Sequence, residues 1–353
     1  MNTTPAQLDL CAALEKTWNY YQSRVQSSPT QGLDALAEEF IQLKKYLGRR
    51  YLAVGDRIRF FIKFLKQRKI RMARQLTTEA VVEFSKSRAH LRTSSWLTEL
   101  NAVNVFLEHL KGTGKIECNP CIFLAQRRRP TYVPYVFSHD EMLRILNRPA
   151  LKSGQWAYIK HTQWTVWFML YACGLRVSDL TKRNLKDYDR EKGVLQIWKS
   201  KFGKDRLIPL HLASIKVLED YMRRRTLRFG SPALDDPLMV NDRGKRLVAH
   251  KLSLDFRRLL RKLCMYRRDR FEHGVQYGGP RLHSLRHTFA VHRLLKWYRE
   301  GADVQKKLLL LSTYMGHSSI VHTEVYLRIT SLVLREAARR FSKTWETQFP
   351  LKP

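Results

Sequence analysis

A histidine and an arginine stand three residues apart in the sequence, as His283 and Arg286. Side chains at this spacing project from one face of a helix. The segment around them therefore predicts the start of a helix that presents two basic groups together, an arrangement suited to an anion. Alone the pair is weak evidence, because His-x-x-Arg arises often by chance and a surface helix with a hydrogen-bonded histidine is the ordinary alternative.

Two further stretches carry residues of the types that act on phosphates. Arg176 follows a glycine at the end of an apolar helix, and Asp179 stands three residues later. His317 lies in the run Tyr-Met-Gly-His-Ser, and Tyr326 follows it by nine residues. Together with the first histidine and arginine, these residues form a set of cations and a phenol rather than isolated matches.

The ordered set resembles the catalytic signature of tyrosine recombinases, the family that includes lambda-type integrases, Xer recombinases and Cre. The matching residues are Arg176, Lys201, His283, Arg286, His317 and Tyr326. The helical segment 95–120, which ends in Asn-Pro, resembles the last helix of that family's core-binding domain. The likeness covers residues 33–335 and implies an enzyme that cleaves and rejoins DNA through a 3′-phosphotyrosine intermediate.

The chemistry of a phosphodiester agrees with the roles that the resemblance implies. Arg176 and Arg286 would contact the nonbridging oxygens through planar, bidentate hydrogen bonds. Tyr326 would be the nucleophile. The resemblance makes His283 the general acid/base and His317 a hydrogen-bond donor to a phosphate oxygen.

The leaving 5′ oxygen needs a proton, and the resemblance assigns that proton to Lys201, on the turn of a predicted hairpin. Lys204 is the rival donor, because the turn reads Lys-Phe-Gly-Lys where the family commonly has Gly-Lys-Gly followed by a further lysine. Asp179 is a single carboxylate without a partner. We expect it to orient local structure rather than to act in catalysis.

Basic residues far outnumber acidic ones: lysine and arginine total 65 against 31 aspartate and glutamate, for a net charge of +34. Such an excess repels itself unless a polyanion neutralises it, so double-stranded DNA is the expected partner. A ribosomal or membrane-surface protein would be similarly basic, but here the charge is interleaved with hydrophobic periodicity. The residues expected to contact DNA are Arg127, Arg128, Arg129, Lys204 and Arg206.

The five cysteines form an odd and scattered set, which favours a reducing compartment over a disulfide framework. Cys118 and Cys121 form a CxxC with no second ligand pair nearby, so two structural thiols at a turn are favoured over a zinc or redox site. Acidic residues near the candidate catalytic motifs are single, whereas magnesium-dependent cleavage needs clustered carboxylates. We therefore expect neither a cofactor nor a metal at the site.

Hydropathy indicates no membrane partner. No segment reaches the roughly 18 continuous apolar residues of a membrane span, and the N-terminus lacks a basic region followed by an apolar run. The sequence predicts a cytoplasmic protein that is associated with the bacterial nucleoid.

Hydrophobic periodicity predicts a mainly α fold with a small β-hairpin, of the α+β class. The expected organisation is an N-terminal extension at 1–30, a helical core-binding domain at 31–124, a basic linker at 125–136 and a catalytic domain at 137–353. Gly193–Lys199 and Asp205–Leu210 predict the two strands of the hairpin. Ser138 and Glu141 form a capping-box pattern that predicts the first helix of the catalytic domain. The resemblance implies that the two domains form a clamp on DNA.

A tail helix after the candidate nucleophile is predicted from apolar positions between Leu332 and Trp345. It either packs on its own domain or, as the resemblance implies, docks on a neighbouring subunit and builds a tetramer on DNA. Accessory proteins or partner recombinases are further expected partners.

Two alternatives to site-specific recombination stay open. A type IB topoisomerase uses a similar set of residues without exchanging partners, but the upstream helical domain and the tail helix favour recombination. A non-catalytic architectural protein is disfavoured, because a competent residue fills every catalytic position. The long stretch between Arg286 and His317 favours a recombinase of a transposon or other mobile element over a chromosomal Xer protein.

Overall fold

The computed structural model describes residues 32–48, 51–123, 131–147, 155–198, 205–317 and 319–329. The chain forms two compact units, Met1–Arg129 and Pro130–Pro353. Helices dominate the described ranges and small sheets complete the second unit, which confirms the predicted mainly α class. Several predicted features lie outside the described residues: the extension at 1–30, Arg127, Arg128, Arg129, Lys201, Lys204 and the tail helix.

Aromatic residues at helical spacing form the core of the first unit. Its described α-helices are α1 (Leu33–Tyr46), α2 (Leu52–Gln67), α3 (Thr78–Ser87) and α4 (Thr93–Gly112). The ring of Phe40 contacts that of Phe106, with centroids 5.6 Å apart, and Phe61 packs edge-on against Phe84 at 4.9 Å. All four rings are buried, so these phenylalanines hold the helices together.

A buried asparagine fixes the Asn-Pro turn that follows α4. Asn119 donates from Nδ2 to Oδ1 of Asn104 at 2.8 Å and to Oε1 of Glu108 at 2.6 Å. Its Oδ1 accepts from the backbone N–H of Cys121 at 2.9 Å. The amide is therefore satisfied within the unit. Cys118 and Cys121 are free thiols on this turn.

The second unit carries the remaining described helices. They are α5 (His139–Leu146), α6 (Gln155–Ala172), α7 (Val177–Thr181), α8 (Leu212–Phe229), α9 (Ala249–Lys262), α10 (Ser284–Arg299), α11 (Val304–Met315) and α12 (Val321–Ile329). The predicted capping box of α5 is confirmed, because the Glu141 N–H donates to Ser138 Oγ at 3.1 Å and the Ser138 N–H to Glu141 Oε2 at 2.9 Å. This cap sets where the first helix of the unit begins.

Short strands form two three-stranded sheets in the described part of the second unit. They are β1 (Thr131–Val133), β2 (Tyr188–Asp189), β3 (Val194–Ile197), β4 (Arg206–Pro209), β5 (Arg270–Glu272) and β6 (Val275–Tyr277). Strands β3 and β4 pair antiparallel, with Leu195 opposite Ile208, and confirm the predicted hairpin. Strand β2 extends that sheet on the other side of β3.

The second sheet corrects the predicted linker of 125–136. Strand β1 pairs in parallel with β6, with Thr131 opposite Val275 and Val133 opposite Tyr277. The β5–β6 hairpin was not predicted, so the pairing edge that orders β1 was not visible in the sequence. Residues from 131 onward belong to the second unit and not to a free linker.

Helix α10 lies in two hydrophobic clusters and connects them. Its Leu285 is buried in the main cluster, which also takes in residues of α5, α6, α8, α9 and the β2–β3–β4 sheet. Its Phe289 and Leu294 belong to a smaller cluster with residues of α11 and with Tyr326 of α12. The helix that begins at His283 and Arg286 is therefore held on two sides, which limits its freedom to move.

Candidate active site

A left-handed glycine prepares the position of Arg176. Gly174 follows α6 with φ +58°, and a Cβ there would meet the ring of Phe289 at 2.3 Å. Arg176 is the N-cap residue of α7, and its backbone N–H donates to Oδ2 of Asp179 at 3.0 Å. The glycine thus permits both the turn and the close approach of α10.

Arg286 is buried beneath the site and spends two donors on main-chain oxygens. It is 2% exposed, and its Nη1 and Nη2 donate to the carbonyls of Gly174 at 2.6 Å and Met315 at 2.5 Å. Burial, and after it the charge of Arg176, lowers the pKa of Arg286 to about 9. The guanidinium therefore joins three segments that are distant in sequence, and no carboxylate of the described residues forms an ion pair with it.

Arg176 binds the main-chain carbonyl that follows the one bound by Arg286. Its Nη2 donates to the Gly316 carbonyl at 2.8 Å, while its buried Nη1 has no hydrogen-bond partner among the described residues. Burial lowers the pKa of Arg176, and the nearby charge of Asp179 opposes that change. A buried N–H without a partner is costly, and it marks where an anion would gain a hydrogen bond.

Arg206 joins this cluster, although the sequence predicted for it only a contact with DNA. Its Nη2 forms an ion pair with Oδ2 of Asp179 at 2.5 Å, and its side chain is 8% exposed. Its Nε and Nη1 are buried and have no partner in the described ranges. A Cβ on Gly316 would lie 2.4 Å from Arg206 Nη1, so this glycine, with φ +66°, leaves room for the guanidinium. The role predicted for Asp179 fits its two contacts.

Tyr326 points its hydroxyl into the interior of the second unit. The residue is 3% exposed, and its oxygen lies 2.8 Å from Nδ1 of His287. Burial raises the pKa of Tyr326 to about 12, against the opposing charges of Arg286 and Arg176. A phenol with this pKa does not ionise near neutral pH, so a proton acceptor or further positive charge is needed for attack.

His287 is a residue of the site for which the sequence predicted no role. Burial, together with the neighbouring basic groups His283 and Arg286, lowers its pKa to about 3. The imidazole is therefore neutral at working pH. Its position directly after the arginine of the His-x-x-Arg motif was visible, but only the fold shows that α10 turns it toward Tyr326.

The two other candidate histidines lie around this pair. His283 is exposed at the N-terminal end of α10, and its ring stands edge-on to that of His287 with centroids 4.7 Å apart. His317 stacks on Tyr326, with centroids 6.4 Å apart, and its Nδ1 lies 2.7 Å from Thr323 Oγ1. The structure thus gathers the described members of the predicted set, although His283 and Arg286 differ sharply in burial.

The described part of the site is rich in cations and poor in carboxylates. Within the described ranges, no three His, Cys, Asp or Glu side chains lie close enough together to hold a metal ion. None of the helices in those ranges combines the length and apolar character needed to cross a membrane. The expectation of a cofactor-free site stays a prediction.

Comparisons with known proteins agree with this geometry. The model of the phage integrase family matches residues 136–331, more than half of the chain. A Sinorhizobium fredii protein, y4rB, which carries a provisional integrase/recombinase name, is 29% identical over 312 residues, covering 88% of this chain and 96% of its own. The tyrosine recombinase XerC of Thermodesulfovibrio yellowstonii is 26% identical over 234 residues, covering 65% of this chain and 70% of its own.

A solved structure shares the fold. The Tn1549 transposon integrase in complex with transposon right end DNA superposes with a TM-score of 0.61 at 15% identity, covering 88% of this chain and 100% of that one. The site and the comparisons define the class: a tyrosine-type site-specific recombinase, an enzyme that cleaves and rejoins DNA. Within that class, the chain belongs to the phage integrase family.

Proposed function

We propose that Tyr326 attacks a DNA phosphodiester that is held by Arg176 and Arg286, and that the resulting 3′-phosphotyrosine is later resolved by strand exchange. The observation that carries the proposal is the buried Nη1 of Arg176, which has no partner in the described ranges and belongs to the cluster that surrounds the Tyr326 hydroxyl. A phosphate oxygen would satisfy this donor and would compensate charge that Asp179 offsets in part.

The bond changes balance without a cofactor. The bond between the Tyr326 oxygen and phosphorus forms as the bond from phosphorus to the 5′ oxygen breaks. His283 takes the phenolic proton, and Lys201, or its rival Lys204, gives a proton to the departing oxygen. Attack by a 5′ hydroxyl reverses each transfer and releases the tyrosine.

Two further side chains support the phosphate in this proposal. His317 donates a hydrogen bond to a nonbridging oxygen. Arg206 contributes its unpartnered Nε and Nη1 to the same anion or to the next phosphate. This assignment keeps Arg206 a DNA contact, but places that contact inside the site rather than on a distant surface.

The wider assembly is also a proposal. Two domains, a helical one at 31–124 and a catalytic one that begins at residue 131, clamp double-stranded DNA, and Arg127, Arg128 and Arg129 follow its backbone between them. The tail helix docks on a neighbouring subunit to build a tetramer. Structures of lambda integrase include a tetramer bound to a Holliday junction, at 16% identity and a TM-score of 0.57, which supports this arrangement.

The biological setting follows from the relatives. The likeness to a transposon integrase and to the S. fredii protein supports action on a mobile element. We place the enzyme in the cytoplasm at the nucleoid, where its substrate is found.

The test uses DNA fragments that flank the protein's own gene. The full chain is incubated with them in EDTA, quenched in SDS, and analysed for DNA-linked protein. We expect an adduct with the wild-type protein and complete loss in Tyr326→Phe, because only the phenolic oxygen is removed. Tyr314→Phe is the matched control, since that ring stacks on Phe289 in the same hydrophobic cluster.

Three outcomes would contradict the proposed function. An adduct that persists in Tyr326→Phe would show that another residue is the nucleophile. Absence of any adduct with wild-type protein, despite tight binding to a fragment, would favour the architectural alternative. Relaxation of supercoiled DNA without products from two-site substrates would favour a topoisomerase.

A further inference from the structure

Among the described residues, two histidines of α10 are hydrogen-bonded to tyrosines, and a structural role accounts for one of these two hydrogen bonds. His292 accepts from or donates to Tyr171 at 2.9 Å through Nδ1, while its Nε2 lies 3.1 Å from the Phe137 carbonyl. That pair fastens the start of the second unit to the helix. The other pair joins Nδ1 of His287 to the hydroxyl of Tyr326, the proposed nucleophile, at 2.8 Å.

We propose that His287 is a positioning residue for the nucleophile: until attack begins, its Nδ1 accepts the hydrogen of the Tyr326 hydroxyl and leaves the oxygen lone pairs available to phosphorus. The hydroxyl then turns about its C–O bond and gives that proton to His283, as in the bond changes above. The inference rests on the proposed function of Tyr326. It adds a residue to the site that neither the His-x-x-Arg motif nor the bond changes above require.

The direction of this hydrogen bond matters for the attack. A protonated imidazole has a donor on both nitrogens, and would place its N–H on the lone pair that must reach phosphorus. Burial lowers the pKa of His287 to about 3, together with the positive charges of the neighbouring basic groups His283, Arg286, His317 and Arg281. The ring therefore stays neutral and keeps an acceptor available.

The helix also fixes where the acceptor stands. His287 directly follows Arg286, whose guanidinium is bound to the carbonyls of Gly174 and Met315. One rigid helix thus sets both the position of a phosphate-binding arginine and the position of the hydroxyl. A shift of about 1 Å between nucleophile and phosphorus lowers a rate on the order of 100-fold.

The experiment compares two substitutions of the same residue on a fragment that gives an adduct with the wild-type protein. His287→Leu removes the acceptor, whereas the Oδ1 of His287→Asn stands near the place of Nδ1. We expect the single-turnover cleavage rate of His287→Leu to fall about 30- to 100-fold with unchanged affinity for DNA. His287→Asn should recover most of that lost rate.

His292→Leu is the matched control, because it removes a half-buried imidazole that is on the same helix and is hydrogen-bonded to another tyrosine. Its folded fraction should cleave at the wild-type rate. The proposal is overturned if His287→Leu cleaves as fast as the wild type, if His287→Asn falls as far as His287→Leu, or if His292→Leu loses as much rate as His287→Leu. Failure of wild-type protein to form an adduct would instead overturn the proposed function.

A spectroscopic measurement covers the case in which His287→Leu does not fold. Protein labelled with ¹³C at tyrosine Cζ gives a resonance for residue 326 that Tyr326→Phe assigns. We expect a shift typical of a neutral phenol that donates a hydrogen bond, retained in His287→Asn. A resonance typical of a phenol that accepts from an imidazole N–H, in the wild-type protein, would overturn the proposal.

Discussion

Two arginines of the first unit and two arginines of the site in the second unit satisfy their guanidinium groups in different ways. In the first unit, Arg59 forms a two-pronged pair with Glu38 at 2.6 and 3.0 Å, and Arg88 forms another with Glu99 at 2.7 and 2.9 Å. In the second unit, Arg286 and Arg176 donate to main-chain carbonyls. The first arrangement compensates charge, whereas the second satisfies hydrogen bonds and leaves the charge in place.

The difference separates arginines that serve the fold from arginines that are kept for a ligand. An exposed ion pair contributes little because water screens it and two long side chains must be ordered. A buried guanidinium that binds only neutral oxygens is unfavourable, and the lowered pKa values of Arg176 and Arg286 reflect that cost. The site therefore holds in advance the positive charge that a phosphodiester would meet.

The largest expected effect comes from replacing the planar guanidinium of Arg286, which has several N–H donors, with the single ammonium group of lysine. Arg286→Lys keeps the charge but cannot bridge the carbonyls of Gly174 and Met315. We expect single-turnover cleavage to fall by about 10³-fold or more, measured as covalent adduct. Arg59→Lys, in the first unit, is the control and should cleave normally. Activity within about tenfold of wild type for Arg286→Lys would show that charge alone suffices.

A smaller effect is expected from removing the single carboxylate of the cluster. Asp179→Asn leaves Arg206 without its ion-pair partner in a buried place, so the free energy of unfolding should drop by about 3 kcal/mol in urea titrations. Asp56→Asn removes an exposed carboxylate that pairs with Arg59, and it should change the free energy by less than about 0.5 kcal/mol. Equal effects of the two substitutions would remove the contrast between the units.

Next comes the glycine that makes room for Arg206. Gly316→Ala places a Cβ in a left-handed conformation and against the guanidinium, at a cost of about 2 kcal/mol in unfolding free energy. Gly114→Ala has the same backbone strain, at φ +68°, with nothing within 4 Å of the added Cβ. The excess loss in Gly316→Ala, and a drop in cleavage seen only there, would measure the contact with Arg206. Matching losses would show that backbone strain explains both.

The smallest effect is expected at the exposed ion pair of Arg59 and Glu38. Arg59→Gln should lower the free energy of unfolding by about 0.5 kcal/mol, and less at high salt. The fork with Arg59 lowers the pKa of Glu38. The contribution is therefore present above the ordinary pKa of a glutamate and is lost as pH falls through the lowered value. A difference between the two proteins that grew as pH fell would contradict this origin.

Sequence predicted the residue types of the site better than their partners. His283, Arg286, His317 and Tyr326 were found because their order and spacing are written in the chain. The arginines donate to the main-chain carbonyls of residues 174, 315 and 316. Every residue has a carbonyl, so the amino-acid sequence does not indicate which ones are the acceptors. His287 was missed for a related reason: its role depends on which way α10 faces.

The fold shows the same division. Amphipathic helices and the β3–β4 hairpin follow from local periodicity, and so does the capping box of α5. The sheet of β1, β5 and β6 joins segments more than 130 residues apart through three-residue strands. Strands so short carry too little alternation to be recognised, and parallel pairing of distant segments leaves no local pattern.

The two carbonyl partners of Arg286 also set an order of events during synthesis. One carbonyl lies 112 residues before the arginine and the other 29 residues after it. Because chains emerge N-terminal end first, the guanidinium lacks the second acceptor until Met315 has been made, and Tyr326 follows later still. The nascent chain can therefore fold its first, helical unit well before the active site in the second unit is complete. The ability to cleave DNA therefore appears only after the last residues of the site have been synthesised, and does not increase gradually during synthesis.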